Sequence, residues 1–206
     1  MKEFVTIPGE EFNVEVVIEK SRFLAAAIHV DSVQQATDFI AAKRKKYFDA
    51  THNCYGYVVG DKAKFSDDGE PQGTAGQPIY ECIKSCGLDQ VCVVVTRYFG
   101  GIKLGAGGLV RAYGGSCAEV LKSAPRVNMI DCTLASAVVD YTYLKPLRRA
   151  VLAAGAKEHS VQYGDKVTLV FLFPTLLQDT ISHVVTQNTL GKSVLTPIER
   201  LLCPFD

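Results

Sequence analysis

Apolar and polar positions alternate over residues 12–19, and a second such stretch fills 22–29 after a Lys20-Ser21 break. Side chains on a strand point to opposite faces in turn, so the two stretches predict an antiparallel hairpin. The period then lengthens. Val33, Ala36, Phe39 and Ile40 share one face of a helix that Asp31 or Ser32 caps, and its end carries Lys43, Arg44, Lys45 and Lys46. Cations suit a helix C-terminus, where carbonyls lack partners. The same run also reads as a phosphate-seeking patch. A strand is predicted over 52–59 and a long loop of turn formers over 65–76. Pro78 and Ile79 open a short helix that ends by Gly87. The apolar run Val91–Val95 opens a buried strand over 91–98. A Gly-rich turn then leads into a helix from about Gly107 to Lys122, and Pro125-Arg126 reads as a linker.

The second half has a different rhythm. A strand is predicted over 133–141, a helix over 144–154 ended by Gly155, and strands over 156–162 and 166–173 joined by Tyr163-Gly164-Asp165. Pro174 begins a helix through Leu176, Leu177, Ile181 and Val184, and a last strand covers 193–201. That order, βαββαβ, is the ferredoxin-like split βαβ unit. The fold class is therefore α+β, with domains expected at 1–131 and 132–206.

Composition narrows the function classes. With 206 residues, 48% hydrophobic and 21% charged, the chain can pack a core. Basic and acidic residues balance at 22 each, 15 against 16 before Cys132 and 7 against 6 from there on. No global field draws nucleic acid, so any such patch must be local. The N-terminus mixes charged and apolar residues and is not read as a signal peptide. No apolar run reaches the roughly 18 residues of a membrane helix. Seven cysteines sit within apolar segments and read as reduced thiols. A cytoplasmic protein with no membrane partner is expected.

Candidate chemistry concentrates between residues 52 and 113. Glycines at 100, 101, 105, 107 and 108 allow close backbone approach, and the last of them sit where a helix starts. Free N–H groups there make an anion site. The segment is neither a Walker loop nor the dinucleotide fingerprint, since Lys-Ser/Thr and the third glycine are missing. A tight strand–helix packing turn explains the glycines equally well. Alternation puts Arg97 and Phe99 on one face and Tyr98 on the other. Arg97 beside aromatics suits stacking or a protein partner, or pairs with a carboxylate of the Asp67-Asp68-Gly-Glu70 loop, or does both. Arg111, one turn into the helix, is a further candidate phosphate contact.

Asp67, Asp68 and Glu70 invite a metal reading, but Asp-Gly is also a plain turn signal. His52 and Cys54 share a strand face about 6–7 Å apart, too far for a direct Cys–His pair unless the side chains lean together. Cys82 and Cys86 lie four apart on a helix, which is not zinc spacing. No catalytic residues, metal or cofactor are assigned, and the catalytic inventory is thin for an enzyme.

Three segments carry a family resemblance: His52-Asn-Cys-Tyr55, the 65–76 stretch FSDDGEPQGTAG, and the 95–115 stretch VTRYFGGIKLGAGGLVRAYGG. Together they resemble the IMPACT family, and the whole-chain layout resembles its bacterial YigZ branch. The resemblance implies an N-terminal domain like ribosomal protein S5 domain 2, shared with domain IV of the translocation elongation factor. It implies a C-terminal domain like that factor's ferredoxin-like domain V. The family's eukaryotic members are translational regulators acting through protein contacts. The RWD domain that precedes the motifs in those members is not expected here, because the first family strand follows almost at once.

What the resemblance implies for this chain is a binding surface. It comprises His52 and Asn53; Asp67, Asp68, Glu70, Gly73, Thr74 and Gly76 of the loop; Arg97, Tyr98, Phe99, Gly100 and Gly101; and Lys103, Gly105, Gly107, Gly108 and Arg111. Two functions follow from it. One is a non-enzymatic, translation-linked regulator that binds ribosome, RNA or a translation protein, without DNA sequence recognition. It expects a shallow, mildly basic surface with Arg97, Lys103 and Arg111 outward. The alternative is a phosphate- or nucleotide-binding enzyme with an Asp67/Asp68 cleft beside the Gly105–Gly108 helix start. The sequence leaves the oligomeric state open.

Overall fold

The computed structural model describes residues 2–205. It is mixed α+β, with two sheets and five α-helices. The chain separates into two compact units, one of Phe4–Val127 and one of the residues from Asn128 onward with those before Phe4.

In the first unit β2 (Phe12–Ile18), β3 (Ser21–His29), β6 (Val91–Tyr98), β4 (His52–Val59) and β5 (Lys62–Ser66) form, in that order, a sheet whose neighbouring strands are all antiparallel. The predicted hairpin is β2 (Phe12–Ile18) and β3 (Ser21–His29), and Val17 pairs with Arg22 across its turn. The Val-rich run is β6 (Val91–Tyr98), flanked by β3 and by β4 (His52–Val59). Both its faces are covered, which is why it reads as continuous apolar sequence rather than alternation. Val91, Val93 and Val95 pack with Phe23 and Cys54 against helices α2 (Gly76–Ser85) and α3 (Gly105–Ser123). Cys92 and Val94 pack with Tyr55 and Tyr57 against α1 (Val33–Lys46). Each such fully buried side chain contributes about 1.5–3 kcal/mol of hydrophobic stabilisation. The Ser32 side chain caps α1 by accepting from the Gln35 N–H at 3.2 Å. Of the four cations ending α1, Lys43 is buried and donates to Glu11 at 2.6 Å, and Arg44 donates to Asp68 at 2.5 Å.

Two short strands escaped the sequence pattern. The first, β1 (Phe4–Thr6), bridges Leu88 at Val5 and hydrogen-bonds His29 through Thr6 at 2.8 Å; the other, β5 (Lys62–Ser66), is an exposed edge strand on β4. Helix α3 starts two residues before the expected Gly107, because Gly105 takes a left-handed φ of +69° that turns the chain into the helix.

The second unit runs β7 (Val127–Val139), α4 (Tyr141–Ala153), β8 (Lys157–Tyr163), β9 (Val167–Pro174), a 3-10 turn (Thr175–Leu177), α5 (Gln178–Asn188) and β10 (Thr196–Pro204). Antiparallel pairing gives the order β10-β7-β9-β8. Ala135, Ala137, Leu169, Phe171 and Phe173 of the sheet meet Leu147 and Val151 of α4 and Ile181 and Val185 of α5. The strand expected at 133–141 instead spans Val127–Val139, beginning directly after Pro125-Arg126, and its residues from Met129 pair with β10. Among the described residues, no helix is long and apolar enough to cross a membrane.

Candidate functional site

Strand register assembles the centre of the site. His52 of β4 lies opposite Arg97 of β6, and Arg97 lies opposite Phe23 of β3. All three therefore share the sheet face that α3 covers. The inward stripe of α3 includes Leu109, Ala112, Tyr113, Ser116 and Cys117, and Tyr113 meets Phe23 edge to face at 5.3 Å. The Tyr113 hydroxyl donates to Glu70 Oε1 at 2.8 Å. Arg97 donates to the same oxygen at 2.7 Å, and its guanidinium lies 5.6 Å from the Phe23 ring centre and 5.4 Å from that of Phe99.

Arg97 was expected to point outward in the docking reading. It is only 5% exposed, because its partner, the Glu70 carboxylate, is itself folded under the loop. The pairing with the acidic loop that alternation allowed is therefore present, and Glu70 is the carboxylate chosen.

Asp67 and Asp68 hold the loop. The Asp67 carboxylate accepts from the backbone N–H groups of Gly73 (2.8 Å), Ala75 (3.0 Å) and Gly76 (2.8 Å). It thus occupies the N-terminus of α2 as a cap supplied from outside the helix. Asp68 accepts from the Asn53 N–H at 2.7 Å and from Arg44. Asn53 accepts from the Thr96 hydroxyl at 2.7 Å, and Thr74 donates to the Pro71 carbonyl at 2.6 Å. These are structural contacts. The expected cleft with Asp67 or Asp68 on its wall is not formed, because both carboxylates are turned into backbone amides. Among the described residues no group of three or more His, Cys, Asp or Glu could hold a metal ion.

His52 and Cys54 do not form a nucleophilic pair. His52 Nδ1 donates to the Asp68 carbonyl at 2.8 Å, which leaves Nε2 3.8 Å from Glu70 Oε2. The Cys54 thiol donates to the Asp67 carbonyl at 2.9 Å, and burial pushes its pKa well above the usual thiol range. Burial likewise pushes the Tyr113 hydroxyl up and keeps it neutral. Tyr98 lies on the opposite face and donates to Asp49 at 2.9 Å.

The turn after β6 is shaped by close packing. A Cβ on Gly100 would sit 2.0 Å from the Lys20 carbonyl carbon, so only glycine lets the turn rest on the β2–β3 connection. The Gly100 N–H donates to Ser21 Oγ at 3.1 Å. Beyond it α3 begins with Leu104 at the cap position, no side-chain cap bond and no acidic residue in the first turn. Exposed Lys103 precedes that turn, and exposed Arg111 folds back over it, its terminal nitrogen 3.6 Å from where a Gly107 Cβ would be.

A cleft of about 330 Å³ opens at this helix start. His52, Glu70 and Pro71 form one wall, Arg97 and Phe99 the strand end, and Lys103, Gly105 and Ala106 the helix side. A second hollow of about 550 Å³ shares Lys103 and Leu104 and adds Glu19, Gly108 and Arg111. Of the residues singled out in the sequence, His52, Glu70, Arg97, Phe99, Lys103, Gly105, Gly108 and Arg111 thus converge on two adjoining hollows. Asn53, Asp67, Asp68, Gly73, Thr74 and Gly76 brace the loop beside them. Tyr113 was missed as a site residue. The signal was its place on the inward stripe of α3, since a buried tyrosine hydroxyl needs an acceptor.

The sequence profile of the Impact N-terminal domain matches residues 19–121, the span that carries the whole lining of the first cleft. The chain is 40% identical over 182 residues to the IMPACT family member YvyE of Bacillus subtilis, covering 87% of this chain and 84% of that one. It is 42% identical over 121 residues to the IMPACT family member YigZ of Escherichia coli, covering 56% of this chain and 59% of that one. A crystal structure described as that of a hypothetical protein is similar with a TM-score of 0.63 and 32% identity, over 97% of this chain and 98% of that one. With a profile match over half its length and a 40% identical relative aligned along most of both chains, this chain belongs to the IMPACT family.

Proposed function

We propose that this chain is a non-enzymatic, cytoplasmic, translation-linked regulator that docks on ribosome, RNA or a translation protein through the surface at the start of α3. The observation that carries the reading is the open helix start itself. Among the described residues its amides have no side-chain cap and no first-turn carboxylate, while Lys103 and Arg111 stand exposed beside them. Helix dipole, free donors and two cations all favour an anionic group there. The translational role of the family's eukaryotic members supports the same direction. Within this reading we assign 1–131 to an S5 domain 2-like fold and 132–206 to a ferredoxin-like fold. The β10-β7-β9-β8 order of the second unit supports the latter.

The test is co-sedimentation of the purified chain with ribosomes and with free RNA across a salt series, beside a Lys103→Ala, Arg111→Ala variant. Binding that weakens with salt, and is lost in a variant that stays folded, is the expected result. No binding at low salt overturns the reading.

A phosphate- or nucleotide-binding enzyme remains the second reading because the cleft of about 330 Å³ lies within the size range of small-molecule sites. Its acid/base residues would have to be Glu70 and His52 rather than Asp67 and Asp68. Saturable binding of a nucleotide by calorimetry, lost on Lys103→Ala, would favour it.

A further inference from the structure

Three thiols meet where α2 packs on α3, away from the residues used above. The helices come close because α3 carries glycine at 114, where a Cβ would lie 3.8 Å from the Pro78 Cβ. One turn further along each helix, the buried Cys117 thiol reaches back to the Ile79 carbonyl of α2 at 3.7 Å. Cys82, one turn on from Ile79 along α2, packs against the same apolar core as Cys117, and Cys86 follows it one turn later. Cys82 and Cys86 are partly exposed, whereas Cys117 is fully buried. An attacking thiol needs access and thiolate character, and its resolving partner needs only contact. Cys82 has both. Hydrogen bonding from Cys117 lowers its pKa to about 7 against the opposing effect of burial, with Cys86 and the Arg126 charge helping.

We propose that Cys82 is a peroxide-sensitive thiol and Cys117 its resolving partner, closing a reversible disulfide between α2 and α3. The Cys82 thiolate attacks a hydroperoxide, ROOH, breaking the O–O bond. Cys82 becomes the sulfenic acid, and the leaving alkoxide takes a proton to give ROH. The Cys117 sulfur then attacks the sulfenic sulfur, forming the S–S bond and releasing water. Two thiols lose two electrons and two protons in total, and the peroxide gains them. Cys86 is a poor resolving partner although it follows Cys82 one turn on. Residues four apart on a helix hold their Cβ atoms about 5–6 Å apart. A disulfide needs about 3.5–4.5 Å, so an 82–86 bridge would have to unwind α2. The bridge to Cys117 ties the helix that follows the acidic loop to the helix whose first turn floors the cleft.

The experiment treats the full chain with hydrogen peroxide and maps linkages by non-reducing peptide mass spectrometry. An 82–117 linkage that dithiothreitol removes is expected. It should persist in Cys86→Ser and vanish in Cys82→Ser. In Cys117→Ala the reaction should stop at a Cys82 sulfenic acid captured by dimedone. An 82–86 linkage, or Cys117 oxidised as readily in Cys82→Ser as in the parent chain, overturns the proposal. The Cys82→Ser arm changes only a partly exposed position, so it decides the matter even where Cys117→Ala does not fold. A second readout is alkylation by iodoacetamide. Cys82 should react at least about tenfold faster than buried Cys54, and equal rates count against it.

Discussion

Two glycine-rich stretches of the first unit face the same cleft and behave in opposite ways. In the 67–76 loop every carboxylate is answered from within. Asp67 takes three amides, Asp68 takes an amide and Arg44, and Glu70 takes Arg97 and Tyr113. In the 99–108 turn the partial positive charge of a 19-residue helix has no answering side chain among the described residues. The start of α2 is closed by an aspartate; the start of α3 is left open. Glycine content therefore does not mark a site. What distinguishes the two is whether the element's own electrostatics are satisfied internally, and variants can break or sharpen that contrast.

The largest effect is expected at Arg97. Removing one member of a buried ion pair leaves the other charge uncompensated, which costs about 3–5 kcal/mol. Arg97→Ala should therefore lower the urea stability of the chain by that amount, with Glu70 left to Tyr113 and a distant His52. Pairing Arg97→Met with Glu70→Leu should recover most of the loss. A single variant of unchanged stability would return Arg97 to the docking surface.

Next comes Asp67. Asp67→Ala strands three amide donors at the start of α2 and should cost about 3 kcal/mol, since hydrogen bonds to charged groups are worth about 1.5–3 kcal/mol each and partly overlap. Asp67→Asn keeps an acceptor for Ala75 and Gly76 and should lose roughly half as much. Equal losses in both variants would mean that charge, and not amide capping, fixes the loop.

The contrast was only partly legible in the sequence. Period-two alternation gave the β2–β3 hairpin, and the Val91–Val95 run gave the two-sided burial of β6, because both follow from local side-chain direction. The edge strand β5 did not show, since exposed Lys62, Ala63 and Lys64 carry no buried face. Alternation put Arg97 on the right face, but its choice of Glu70 depends on how the loop folds back. Asp67 is bonded to residues six to nine positions on, at no periodic spacing, so its capping role left no pattern to read. The open start of α3 was legible as glycines before a helix; its distinction from the closed start of α2 was not.

A smaller effect is expected at Gly105. Its φ of +69° is left-handed while the space around a Cβ there is empty. Gly105→Ala should thus carry only backbone strain, about 1–2 kcal/mol. It should also shift the first turn of α3 and weaken ligand binding beyond what the stability loss explains. Binding that is unchanged would show that the helix-start amides do not touch the ligand.

The smallest effect on stability, and the sharpest on function, belongs to Lys103. Exposed and without an ion-pair partner among the described residues, it should tolerate Lys103→Ala within about 0.5 kcal/mol. Lys103→Glu places a carboxylate beside the uncapped amides of α3 and supplies internally the charge this helix start lacks. That variant should be as stable as the parent, or slightly more so, by about 0.3–1 kcal/mol from the helix dipole. It should lose its partner more completely than Lys103→Ala does, because the new charge both repels an anion and fills its place. Stability is read by urea unfolding and binding by co-sedimentation at fixed salt. If Lys103→Glu stabilises the chain and leaves binding intact, the open helix start is only an unfilled cap. If it stabilises the chain while abolishing binding, the same group that answers the helix has displaced the ligand that would.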